Sequence, residues 1–299
     1  MKKIAVLCAF GLLNMPLTAA AQPSVQVTVS ILPQKYFVEK IGGSAVTVEV
    51  MVPPGAEPHV YEPKPKQLVK LSQSKLYFAV GINFEEVWLP KFAAANKQMR
   101  IIHTDAGIEK ITMEDYAFEF TEGKEQGAHQ HYEKPGLKDP HIWLSPRLVM
   151  LQARYICDAL IETDPARKNM YEANYTAFTA ELQELDAYLG GLFKTGASSG
   201  RDFIVFHPAW GYFAKDYGLR QIPIEIEGKE PKPADLVKLI TYAKQRGIKV
   251  LFVQPQIYPQ SAKMIAREIG GKVIQADPLA PDWYNNLKRV AEQFKAALK

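Results

Sequence analysis

Apolar and polar positions in this chain alternate in two rhythms. Short runs rich in β-branched and aromatic residues read as strands, and stretches with apolar residues three and four apart read as helices. In the first half, strands are expected at 25–30, 46–52, 76–80 and 100–102, and helices at 34–41, 64–74 and 84–95. The same rhythm returns in the second half. Strands are expected there at 202–206, 222–226, 248–253 and 273–275, and helices at 208–217, 234–246, 261–269 and 282–298. Strand–helix–strand alternation predicts parallel sheets covered on both faces, hence an α/β fold.

One segment breaks the rhythm. Asp164 and Pro165 suit a helix opening, and Tyr171, Tyr175, Phe178, Leu182, Leu185 and Leu189 then form a single apolar stripe up to Gly190 and Gly191. About 25 helical residues at ~1.5 Å each span roughly 37 Å. This predicts two lobes with parallel sheets flanked by helices, joined by one long rigid backbone helix. The boundaries read as a leader at 1–21, an N-terminal α/β lobe at 22–163, the linking helix at 164–191 and a C-terminal α/β lobe at 192–299. Within the first lobe, 114–138 is a polar, glycine-bearing stretch, expected to be a mobile loop carrying His129 and His131.

The amino terminus bears on compartment. Lys2 and Lys3 precede a short apolar run, and Ala19-Ala20-Ala21 closes it. That is the pattern of a cleaved secretory signal peptide, and the run is too short for the ~20 residues of a membrane span. A periplasmic location is expected. Removal of the leader takes Cys8 with it and leaves Cys157 as the single thiol, which reads as buried packing. The net charge of +4 drops to +2 when Lys2 and Lys3 leave. No basic stripe or arginine-rich run points to nucleic acid.

The candidate chemistry lies in the six histidines. In open parallel sheets, ligands bind beyond the carboxyl ends of the strands. His59 follows the strand at 46–52, His207 comes directly after "DFIVF", and Asp277 follows "KVIQ". His141, in "KDPHIWLSP" (138–146), precedes the helix that leads into the linking helix. If the lobes face each other, the four converge. Three neutral imidazoles and a carboxylate suit Zn2+, and four protein ligands leave no open position for an activated water. The pattern favours carrying a metal over metal-assisted hydrolysis. No HExxH or phosphate-binding glycine loop supports another chemistry. Each residue also has a structural reading: His59 a loop residue, His141 a packed core histidine, His207 a helix-start residue, Asp277 a turn former. His103 also follows a strand and ranks behind the four.

In "GAEPHVYEP" (55–63), the His-bearing loop, "DPHIWLSP" (139–146), the long helix, "HPAWGYFAKDYGL" (207–219) and "DPL" (277–279), the chain resembles the metal-binding solute receptors of bacterial ABC importers, in particular the zinc-uptake receptors. The order and spacing of these motifs carry the resemblance across essentially the whole mature chain. It implies His59, His141, His207 and Asp277 as metal ligands, with Zn2+ as the transported ion. It also implies delivery by a monomeric, non-enzymatic receptor to an ABC-type permease powered by a cytoplasmic ATPase. Two departures stand out. The loop has only two histidines, and "VQPQ" (253–256) places Gln254 and Gln256 where relatives often have an acidic residue. Three other readings stay open: a manganese receptor of the same class, a zinc enzyme with a free coordination position, and a surface adhesin or metal-sequestering protein.

Overall fold

The computed structural model describes residues 24–113, 137–194, 200–225, 231–257 and 260–298. The expected signal peptide, and the loop segment that carries His129 and His131, lie outside the described residues.

Strands β1 (Val25–Val29), β2 (Val46–Val50), β3 (Leu76–Ala79) and β4 (Arg100–His103) form one parallel sheet in the order β2-β1-β3-β4. Strands β5 (Asp202–Val205), β6 (Arg220–Pro223), β7 (Val250–Val253) and β8 (Lys272–Gln275) form a second in the order β6-β5-β7-β8. β3 and β7 are buried along their whole length, as befits inner strands of sheets covered on both faces. In each sheet the first strand in the chain pairs with the second on one side and the third on the other. The connections therefore diverge at β1/β3 and at β5/β7, and a crevice opens there at the strands' carboxyl ends.

Helices α1 (Leu32–Gly42), α2 (Pro65–Leu71) and α3 (Asn83–Ala95) serve the first sheet. Helices α6 (Gly211–Asp216), α7 (Pro233–Gln245), α8 (Gln260–Glu268) and α9 (Trp283–Ala297) serve the second. Between the sheets run α4 (Pro146–Thr163) and α5 (Lys168–Lys194). α5 packs on α1 and α4 at one end and on α9 at the other. Its buried face is Tyr171, Phe178, Leu182, Leu185, Leu189 and Phe193.

Both ends of this helix differ from the expected ones. Pro165–Arg167 forms a separate 3-10 turn, and the α-helix starts at Lys168. Asp164 closes α4 instead, and its carboxylate accepts from Tyr171 Oη at 2.9 Å. At the other end Gly190 and Gly191 do not stop the helix. A glycine costs a helix only about 1 kcal/mol. Phe193 lies 5.8 Å from Phe213 and 6.1 Å from Tyr217, ring to ring, and that burial carries the helix onward.

One apolar core runs from Val27 and Phe37 through α4 and α5 to Phe203, Phe252 and Phe294. Trp283 joins the halves. Its ring lies 5.1 Å from that of Phe37, and its Nε1 donates to the Trp143 carbonyl at 2.7 Å. Trp143 Nε1 donates in turn to the Pro278 carbonyl at 2.7 Å. A second core lies beneath α7 and α8. The carboxyl ends of the two sheets are thus held against each other by shared packing.

Candidate metal centre

His59 lies beyond β2, in a 3-10 turn at Pro58–Val60. Glu57 caps that turn, accepting from the His59 backbone N–H at 3.4 Å. His141 opens another 3-10 turn at Ile142–Leu144, and Asp139 accepts from its backbone N–H at 2.8 Å. The two sites share a device. In "EPH" and "DPH" alike, an acid two positions before the histidine binds its N–H, and the intervening proline restricts the backbone. His207 directly follows Phe206 beyond β5. The Ala209 N–H donates to the His207 carbonyl at 2.8 Å, and the Gln221 side chain accepts from Trp210 N–H at 2.7 Å. This tight corner delays α6 to Gly211, three residues later than the sequence pattern suggested.

The three histidines converge. One ring nitrogen of each lies within 4.8 Å of the others. Ring centroids are 5.1 Å apart for His141 and His207, 5.4 Å for His59 and His207, and 6.5 Å for His59 and His141. The Nε2 atoms of His141 and His207 are 3.3 Å apart. Two nitrogens on one tetrahedral zinc, each ~2.0–2.1 Å from the ion, are separated by roughly 3.3 Å.

Carboxylates stand beside the rings. Asp139 Oδ1 is 2.7 Å from His141 Nδ1, with both side chains buried. A carboxylate only accepts, so the proton sits on Nδ1 and the Nε2 lone pair faces the cluster, as a metal-binding imidazole requires. Glu225 Oε2 is 3.5 Å from His207 Nδ1, a nitrogen with no hydrogen-bond partner. Glu57 Oε1 is 3.8 Å from His59 Nε2. Burial and the other two imidazoles push the His59 pKa down to about 3, although 31% of its side chain is exposed. Burial also lowers the His141 pKa, outweighing the opposing pull of Asp139. Burial raises the Glu57 pKa, against the influence of His207 and of the His59 N–H. The His59 and His141 rings are therefore held neutral, the form that binds a cation.

Comparison with known proteins settles the family. The family model "Zinc-uptake complex component A periplasmic" matches residues 27–297. The chain belongs to that family. The high-affinity zinc uptake system protein ZnuA of Bacillus subtilis (strain 168) is 32% identical over 252 residues, covering 83% of this chain and 76% of that protein. The zinc-binding lipoprotein AdcA of Streptococcus pneumoniae (strain ATCC BAA-255 / R6) is 29% identical over 93% of this chain, which spans 56% of that protein. A crystal structure of ZnuA superposes with a TM-score of 0.82 at 44% identity, over 92% of this chain and 100% of its own.

Within this zinc-uptake fold the four residues expected as ligands fall into two groups. His59, His141 and His207 form the cluster. Asp277 lies at the carboxyl end of β8, but among the described residues its carboxylate is not part of the three-residue group. Its Oδ1 accepts from Leu279 N–H at 2.9 Å and from Gln256 Nε2 at 3.0 Å. The small cavity beside the rings is lined by Glu57, Ile82, Trp143, Gln254, Pro278 and Leu279 as well as the histidines. His103 is elsewhere, in a groove between α3 and β4, 3.7 Å from Asp105. Glu57, Asp139 and Glu225 flank the site without having been among the residues expected there. The acid–Pro–His spacing offered a signal for the first two. For Glu225, which follows β6 in "IPIEIEG", only the pairing of β5 with β6 brings it beside His207.

Proposed function

We propose that this chain is the exported receptor that captures Zn2+ between its two sheets and hands it to an ABC-type membrane permease with a cytoplasmic ATPase. The convergence of three imidazole nitrogens, drawn from both halves of the molecule, carries this reading. Membership of a family described as component A of a zinc-uptake complex supports the ion and the membrane partner. His59, His141 and His207 bind the ion, and a carboxylate completes the shell. Asp277 is the carboxylate expected from the strand-end pattern, and Glu57 is its rival on the cavity wall. Four protein ligands leave no place for an activated water, which suits a carrier and not a hydrolase. Nitrogen ligands favour Zn2+ over Mn2+. The receptor acts as a monomer without nucleic acid, after loss of its leader in the periplasm.

Competitive titration of Zn2+ and Mn2+ against the metal-free mature chain tests the reading. One equivalent of zinc is expected to bind far more tightly than manganese, and His207→Ala is expected to abolish tight binding. Unchanged zinc affinity in His207→Ala sinks the site assignment. Tighter manganese binding keeps the receptor and overturns the ion.

A further inference from the structure

The amides of "VQPQ" (253–256) have no part in the binding just described, yet each one meets a carboxylate. The segment leaves β7 as a turn with Pro255 at its second position, closed by a hydrogen bond from Ile257 N–H to the Gln254 carbonyl at 3.2 Å. Gln254 is 7% exposed, and its Nε2 donates to Glu57 Oε2 at 3.1 Å. That bond crosses the cleft from the second sheet to the loop beyond β2. Gln256 Nε2 donates to Asp277 Oδ1 at 3.0 Å. Carboxylates accept and do not donate, so the orientation of both amides is settled by their partners. One turn therefore holds both candidates for the fourth place on the ion.

The two bonds act differently. Gln254 occupies Oε2 of Glu57, while Oε1, which accepts from the His59 backbone N–H at 3.4 Å, lies on the side of the histidines, 3.8 Å from His59 Nε2. Asp277 has Oδ1 held twice, by Gln256 and by the Leu279 N–H. We propose that Gln254 and Gln256 are positioning residues that choose between the two carboxylates: Gln254 presents Glu57 to the ion and Gln256 restrains Asp277. The inference rests on the three-histidine zinc site. An acidic residue at 254 would face Glu57 with a like charge and lose the donor. The neutral amide is the feature that lets the carboxylate of one half be steered by the other half.

The test uses the full mature chain, zinc competition titrations and the visible spectrum of the Co2+-loaded protein. The variants are Gln254→Leu, Gln254→Met, Glu57→Gln and the double variants. Loss of a hydrogen bond to a metal-binding group typically costs ten- to a hundred-fold in affinity. Gln254→Leu and Gln254→Met are expected to weaken zinc binding within that range and to shift the Co2+ bands, while the melting temperature of the metal-free protein stays near wild type. In the Glu57→Gln background either substitution at 254 is expected to cost nothing further. Gln256→Leu is expected to free Asp277 for the ion, raising zinc affinity and shifting the Co2+ bands; unchanged or lower affinity there overturns its restraining role. An equal loss at 254 with and without Glu57 means a general packing effect and overturns the proposal, as does no loss at all. Should His207→Ala bind zinc normally, the site reading itself falls, whatever happens at 254.

Discussion

An acid two residues before a histidine does two jobs in this molecule. It accepts from the histidine N–H, and at 139 it also fixes the ring proton. Asp139→Asn keeps an acceptor for that N–H but removes a charge that favours the Nδ1–H tautomer. Zinc affinity is expected to fall on the order of ten- to a hundred-fold, read by competitive titration. The depressed histidines also predict a pH dependence. In the unfolded chain a histidine takes up its proton near pH 6.5. His59 in the folded protein does so only at about 3, and the His141 pKa is lowered too. The unfolded state therefore binds more protons between these limits. Stability is complete above about pH 6.5 and is lost as the pH falls from there toward 3. Thermal melts of the metal-free protein across that window are expected to show the decline, and His59→Gln is expected to flatten it.

Among the elements, α5 was readable in the sequence because its apolar positions keep the helical period for several turns. Its ends were not readable. Local rules place a start at Asp164-Pro165 and a stop at Gly190-Gly191, but Tyr171 Oη on the Asp164 carboxylate and Phe193 in the core decide otherwise. Phe178 lies at the centre of the stripe, with its ring 6.1 Å from that of Phe37. Phe178→Ala is expected to cost about 3–5 kcal/mol and to lower the melting temperature by on the order of ten degrees, measured by calorimetry. Gly271 presents a different constraint at the entry to β8. A Cβ there would lie 2.2 Å from the Lys249 carbonyl oxygen. Gly271→Ala is expected to cost about 1–3 kcal/mol in denaturant unfolding, because the obstacle is backbone of the paired strand and cannot rotate away.

At the scale of the molecule, a single core crosses from one sheet to the other through α4, α5 and Trp283. A large hinge opening would expose that core to water, so zinc entry and release are confined to the loops at the sheet ends. Solution scattering is expected to give nearly the same radius of gyration with and without zinc. A clear expansion of the metal-free protein would contradict this account. Zinc binds only the folded chain, so it is expected to stabilise by about 2.7 kcal/mol at a hundred-fold excess over Kd. The rise in melting temperature with zinc concentration measures it, and it is expected to vanish in His207→Ala.

The sequence by itself determined the two α/β halves, the long helix between them and the strand-end positions of His59, His207 and Asp277. These follow from local period and chain order, which need no knowledge of distant contacts. Tertiary structure decided the rest. It placed His141 Nε2 3.3 Å from His207 Nε2 and set Glu225 behind His207. It bonded Asp277 to Gln256 and brought Glu57 to the cavity wall. Those outcomes depend on which strands pair and how two sheets pack end to end. Such choices are made by burial summed over the whole core, and no single stretch of chain encodes them.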